Sequence, residues 1–283
     1  MIRLSFLLTT YNKRETLEMV LEHYMANSKP NYELIVSDGG STDGTPELLT
    51  HLAEQGKIDR VILSESRDQG EWEGYKKTLP HMTGDYFYLL TDDDYFDFGA
   101  IDLVLSFIAQ HPEIDYLIAD GLDLKTTGKV EVGRYHGRMK WMRDQREKAQ
   151  DGSRAYKVFM EEGACGLGLF VKTGLIDRVD LFSPRFGKRT DKAVTNALFT
   201  SPFVAASTDV RTYVSIKNEK SNSVIYNYDY SRMERIDDND QALDKNFTAD
   251  INLFAQKFKS AQQILAQCPY PSTKEFVIYR DKI

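Results

Sequence analysis

Apolar positions along the chain fall into short continuous runs separated by segments in which they recur at helical spacing. Residues 4–9 form the first run, and residues 13–24 follow with Leu17, Val20, Leu21 and Tyr24 on one helical face. Asn12 stands where it can cap that helix. Residues 32–36, 58–63, 86–90 and 114–120 repeat the strand pattern, and residues 47–52, 72–82 and 98–110 repeat the helical one. Strands alternating with helices through short connections predict an α/β fold with a parallel, doubly wound sheet. Farther along the alternation weakens. A hairpin strand over 129–135, a short helix over 156–162, a glycine-interrupted strand over 165–171, a helix over 191–199 and a strand over 210–216 are expected there. The polar, Tyr/Asp/Asn-rich residues 227–250 read as a loop or lid. They precede a long helix, 251–267, with Leu253, Phe254, Phe258 and Ile264 on one side.

One stretch organises this pattern. Residues 86–90, Tyr-Phe-Tyr-Leu-Leu, have the composition of a strand buried on both faces, and Asp92, Asp93 and Asp94 follow at its end. Ligands of open α/β sheets bind at the carboxyl ends of the strands, so three carboxylates stand where a cation is needed to offset their repulsion. Asp92 and Asp94 are hard oxygen donors at alternate positions, suited to Mn2+ or Mg2+ shared with a diphosphate. A solvated acidic turn is the alternative for this triplet taken alone. Three further strand ends carry polar loops on the same edge: Thr9-Thr10-Tyr11, Asp38 and Arg67-Asp68, for which a turn cap at Thr9, an Asx turn at Asp38 and an exposed ion pair are the alternatives. Gly39, Gly40 and Gly44 let the second of these loops turn sharply and approach a ligand closely.

Composition narrows the classes. The 283 residues suffice for one large domain or a domain with an extension, and a net charge of −7 argues against a general nucleic-acid binder. Residues 140–148 are locally basic, which a solvated helix face explains; contact with anionic lipid or an acidic acceptor is the alternative. Cys165 and Cys268 lie far apart, so neither a disulfide framework nor a zinc site is expected, and the five histidines lack metal-ligand spacing. The apolar amino terminus is too short to cross a bilayer, and no later segment reaches spanning length. A cytoplasmic protein is expected, with peripheral attachment to the inner face of a membrane and homo-oligomerisation left open.

The residues Leu7-Leu8-Thr9-Thr10-Tyr11-Asn12, residues 36–45 around Asp38-Gly39-Gly40-Ser41-Thr42-Asp43-Gly44-Thr45, Gly84-Asp85-Tyr86 and the Asp92-x-Asp94 motif together resemble the family 2 glycosyltransferases of the GT-A fold. The resemblance covers about the first hundred residues. It implies a Rossmann-like, mostly parallel central sheet flanked by helices, with a C-terminal acceptor-side extension. Residues 1–125 would bind the nucleotide sugar, 126–225 the acceptor and 226–283 would form the extension. It further implies inverting transfer of a sugar from a UDP-sugar to a glycan or lipid-linked glycan, in bacterial surface polysaccharide assembly. Positions like Thr9, Tyr11, Asp38, Arg67 and Asp68 then hold the nucleoside, and Lys76, Asp92 and Asp93 complete the nucleotide site. Asp92 and Asp94 hold the metal, with Asn218 at the place of a family histidine. Asp191, at a helix entrance, takes the place of the general base, a carboxylate that only complements the helix dipole being the alternative and Asp177, Asp180 and Asp209 the rivals. The chain departs from the pattern at Tyr95, where a further Asp is common, and at Tyr75-Lys76, where relatives carry Arg-Asn. Thr190 stands in place of a common Glu, and the amide of Asn218 is a poorer ligand than imidazole.

Two other classes share parts of this pattern. A sugar-phosphate nucleotidyltransferase would carry a basic Gly-rich loop after the first strand, where this chain has Thr9-Thr10-Tyr11-Asn12. A non-catalytic nucleotide- or carbohydrate-binding relative would lack the acidic positions that are present here. An NAD-binding protein ranks below both, since Gly-x-Gly-x-x-Gly does not follow the first strand.

Overall fold

Strand and helix alternate through the first half as β1 (Leu4–Thr10), α1 (Arg14–Asn27), β2 (Tyr32–Asp38), α2 (Thr45–Glu54), β3 (Arg60–Leu63), α3 (Glu71–Thr78), β4 (Tyr86–Leu90), β5 (Tyr95–Phe96), α4 (Phe98–Gln110) and β6 (Tyr116–Leu124). Then follow β7 (Val130–Gly133), β8 (Leu169–Lys172), α5 (Thr190–Phe199), β9 (Ala205–Ile216), α6 (Ile251–Ala266) and β10 (Phe276–Tyr279). This computed structural model describes residues 1–133, 135–137, 139, 166–184, 190–199, 201–217, 251–268 and 272–280. The expected helix over 156–162 and the loop over 227–250 lie outside the described residues, as do Cys165 and the basic residues 140–148.

The strands form one mixed sheet in the order β10-β9-β6-β8-β4-β1-β2-β3, with β5 added to β9 and β7 to β6. β1 runs parallel to β2 and β4, β2 parallel to β3, and β6 parallel to β9. Because β8 is antiparallel to both β4 and β6, those two strands share a direction, and six strands point their carboxyl ends to one edge. Register makes that edge level: Thr10 lies opposite Asp38, Asp38 opposite Leu63, and Leu8 opposite Leu90.

Side-chain alternation on the buried strands divides the core into two layers. Phe6, Leu8, Leu34, Val36 and Tyr88 pack with α1, α4 and α6 through Leu17, Val104 and Phe254. Leu7, Ile35, Phe87 and Leu89 face the other way, against Tyr75 of α3 and Val194 and Leu198 of α5. Phe6 is the pivot of the first layer. Its ring meets Tyr24, Tyr32, Tyr88 and Phe98 edge-on at 5.0–6.0 Å, an arrangement that adds to the burial gain of about 1.5–3 kcal/mol for such a side chain. At the opposite edge the buried Glu33 accepts from the backbone N–H groups of Thr83 and Gly84 and from the Thr83 and Ser5 hydroxyls. That carboxylate fixes the turn that launches β4.

Several local expectations are corrected. Asn12 does not cap α1: Lys13 holds the N-cap position without a side-chain bond, and Asp43 of the glycine loop accepts the Arg14 N–H at 2.9 Å. Asn12 instead takes a left-handed turn, φ 51°, a conformation that asparagine tolerates. α3 stops at Thr78 and gives way to a 3-10 turn over Leu79–His81, because Pro80 cannot continue the α-helical ladder. β9 begins at Ala205, five residues before the apolar pattern marks it. β5 and β10 escape the pattern altogether, β5 being two residues long.

Asp120, 6% exposed on β6, accepts the backbone N–H of His136 at 2.9 Å and so anchors the start of the second half. Burial, with the nearby charge of Asp209 adding to it, pushes its carboxyl up to about 7. A carboxyl raised on folding binds its proton more tightly in the native state, so stability falls as pH rises from the unfolded value through the folded one. Urea unfolding of the wild type and Asp120→Asn at pH 5 and pH 8 measures this effect. The asparagine variant is expected to gain on the order of 3 kcal/mol relative to wild type across that interval. Parallel pH profiles would contradict the assignment.

Candidate active site

The acidic loop leaves β4 one residue beyond Leu90 and is buried throughout: Asp92, Asp93 and Asp94 are 5%, 7% and 5% exposed. Each carboxylate is engaged differently. Lys13 Nζ lies 3.0 Å from Asp92 Oδ1 and 2.8 Å from Asp93 Oδ2. Asp94 turns to the other side, accepting the Ile216 backbone N–H at 2.7 Å and the Thr91 hydroxyl at 2.6 Å. The two-residue strand β5 pairs with β9 through Tyr95 and Val214, which bolts the loop between β4 and β9. Burial pushes Asp94 up to about 6, with the charge of Asp93 adding to the shift and Lys217 opposing it. Burial also raises Asp92, against the pull of Lys13. Burial opposes the Lys13 ammonium as well, but there the two carboxylates outweigh it and the ammonium is held well above its ordinary range.

The loops after β1, β2 and β3 meet beside it. Asp38 is 1% exposed; its Oδ2 accepts the N–H groups of Gly40 at 3.1 Å and Ser41 at 2.9 Å, and its Oδ1 has no partner among the described residues. Asp68 Oδ2 is likewise buried without a partner, while its Oδ1 is held by Lys77. Thr9 lies beneath Gly74, where an added Cβ would come within 2.8 Å of the Thr9 methyl. Gly40, at φ +84°, passes so close to Ser66 that a Cβ would sit 2.7 Å from its carbonyl, so this crossing of loops requires glycine. The Arg67 guanidinium stacks over the Tyr11 ring at 5.0 Å. Thr9, Tyr11, Asp38, Arg67, Asp68 and Asp92–Asp94 therefore share one edge, as their strand order implies.

The remaining predicted residues sit apart from this group or beyond description. Lys76 pairs with Asp180 at 3.1 Å and lies over Trp72, on a partly exposed face of α3. Asp191 is the second residue of α5, and its side chain lies outside what the structure describes. Asn218 lies outside the described residues, one position beyond Lys217. On that side Lys257 of α6 reaches the carbonyls of Lys125, Thr126 and Lys217 at 3.4–3.5 Å and ties the last helix to the ends of β6 and β9.

The donor chemistry fits a hard divalent cation. Each Asp94 oxygen accepts one hydrogen bond in the structure and can engage a second partner, while Asp92 Oδ1 is held by Lys13. Among the described residues no three His, Cys, Asp or Glu side chains form a cage. A Mg2+ or Mn2+ site that takes most of its ligands from phosphates and water needs one or two carboxylates only.

Lys13 is the residue that sequence reading missed. Its signal was available, as the first cation after β1 on an edge rich in carboxylates, but 79 positions separate it from Asp92. A second buried group links His136 Nδ1 to Ser207 Oγ at 2.8 Å and Nε2 to Glu275 at 3.3 Å. Ser207 is fully buried in β9 and also bonds Tyr279, so this group clasps β9 and β10 and offers no exposed nucleophile.

Comparison with known proteins gives the family and the fold. A glycosyltransferase of PGL/p-HBAD biosynthesis from Mycobacterium bovis (strain BCG / Pasteur 1173P2) is 26% identical over 117 residues, which are 41% of this chain and 45% of that protein. The Rv2957 glycosyltransferase of the same biosynthesis from Mycobacterium tuberculosis (strain H37Rv) matches to the same extent. The chain thus matches less than half the length of these curated relatives. S. aureus TarS, residues 1–349 in complex with UDP-GlcNAc, superposes with a TM-score of 0.56 at 16% identity, over 78% of this chain and 60% of that one. The same fragment with UDP gives 0.55 at 15% identity, over 94% and 75%. At such identities the likeness shows the fold, which is the GT-A fold. The model of the family described as glycosyl transferase family 2 matches residues 5–172, from β1 through the acidic loop to the end of β8 and more than half of the chain, and this protein belongs to that family.

Proposed function

We propose that the protein is an inverting glycosyltransferase that moves a sugar from a UDP-sugar to a hydroxyl of a glycan or lipid-linked glycan, in bacterial surface polysaccharide assembly. The observation that carries this reading is the buried, unpartnered Asp38 Oδ1 at the same sheet edge as the acidic loop. A buried acceptor left without a donor costs about 1–3 kcal/mol, and a ligand N–H removes that cost. The imide N–H of uracil is such a donor. Tyr11, with the Arg67 guanidinium over one face of its ring, would offer the other face to the same base, and Thr9 and Asp68 lie on the same edge. Lys76 is assigned to the outer rim of the nucleotide site.

Asp92, Asp93 and Asp94 stand where the diphosphate leaves. Mn2+ or Mg2+ bound there would neutralise the charge that develops on it. Asp92 and Asp94 are the proposed carboxylate ligands, with Asn218 beyond β9 as the third. Displacement at the anomeric carbon also requires removal of the acceptor hydroxyl's proton, and Asp191 at the start of α5 is assigned that role. Residues 1–125 then serve the donor, 126–225 the acceptor and 226–283 an extension. No helix among the described residues is long and apolar enough to cross a membrane, which accords with a cytoplasmic enzyme that meets a lipid-linked acceptor at the membrane surface.

A panel of nucleotide sugars incubated with enzyme and Mn2+ tests the class. Release of nucleoside diphosphate is expected from a UDP-sugar, and Asp94→Ala is expected to abolish it. Full release in excess chelator would contradict the metal assignment.

Asp191→Asn tests the base. The variant keeps the size of the side chain and loses its basicity, so UDP affinity should persist while kcat falls by about 100-fold or more. Near-wild-type kcat, or a product that retains the donor's anomeric configuration, would refute the assignment.

A further inference from the structure

Lys13 already places a cation against Asp92. Its ammonium spans Asp92 Oδ1 and Asp93 Oδ2 at 3.0 and 2.8 Å, and its side chain is 13% exposed. This placement is built in by the backbone. Asn12, in its left-handed turn, donates its N–H to Ser41 Oγ at 2.8 Å, and its side-chain carbonyl accepts from the Thr42 N–H at 2.8 Å. The glycine loop therefore fixes the bend that carries Lys13 toward the acidic triplet. Asp43 of the same loop pins the Arg14 N–H immediately after it.

A divalent cation arriving alone would meet an Asp92 carboxylate already paired with an ammonium, and two cations would compete for it. One arriving with a diphosphate brings the anion to which that ammonium can turn. The ammonium sits on a flexible four-carbon stem and has three donors, two of which are used here.

We propose that Lys13 is the resident cation of the acidic loop and competes with the divalent metal for Asp92, so that metal is taken up together with the nucleotide diphosphate rather than before it. The inference rests on the metal-dependent reading given above. Calorimetric titration of Mn2+ into the wild type and Lys13→Met, each with and without UDP, separates the two. Wild type is expected to bind Mn2+ weakly alone and about tenfold or more tighter with UDP. Lys13→Met is expected to bind Mn2+ alone about tenfold more tightly than wild type and to gain less from UDP. Lys13→Gln, whose amide still donates to one carboxylate without the charge, serves if the methionine variant does not fold, and the same direction is expected. Unchanged Mn2+ affinity in the neutral variants would overturn the role of Lys13 while leaving the metal site intact. Failure of Mn2+ to bind wild type even with UDP would overturn the metal reading itself, and the inference with it.

Discussion

Three consecutive carboxylates at the end of a fully buried strand repel one another, and the edge of the sheet is arranged around that repulsion. Two like charges about 4 Å apart at an effective dielectric near 20 cost about 4 kcal/mol, so the triplet needs partners to stay folded and ionised. Lys13 takes two of the carboxylates, while the Ile216 N–H and the Thr91 hydroxyl take the third. Each partner comes from a different part of the chain. The acidic loop is thereby the joint at which β1, β4 and β9 meet, and a substitution there disturbs all three.

Level strand ends make this joint usable for chemistry. Thr10, Asp38 and Leu63 share one register line, and Leu90 ends two residues short of it, so the loops that follow converge without long connections. Rigid strands beneath keep the buried Asp38 carboxylate in position with one oxygen toward Gly40 and Ser41 and the other unpartnered. A buried polar atom left in this state is costly to stability, and a bound donor removes that cost.

The first half of the chain was legible in the sequence because its information is local. Buried strands read as apolar runs, and the polar residues that end them fall on one edge by topology alone. What escaped was long-range or carried by backbone. The bridge from Lys13 to Asp92 and Asp93 joins residues far apart in sequence, and the bend that aims it depends on Asn12 bonding the glycine loop instead of capping α1. β10 carries a short apolar run that also fits a terminal tail, and it becomes a strand only by pairing antiparallel with β9, where Phe276 stacks on Phe107. The chain after β6 was the least legible. Its folding depends on tertiary clasps such as Asp120 with His136 and Lys257 with three carbonyls, which leave no periodic trace in the sequence.

The central claim is that Asp38 Oδ1 awaits the imide N–H of a uracil base. Calorimetric titration of UDP and of N3-methyl-UDP into the wild-type protein with Mn2+ tests it most directly, because the methyl group removes that N–H and leaves the ribose and diphosphate unchanged. UDP is expected to bind, and N3-methyl-UDP is expected to bind at least about tenfold more weakly, the loss of one buried charge-assisted hydrogen bond. Equal affinity for the two nucleotides would contradict the account.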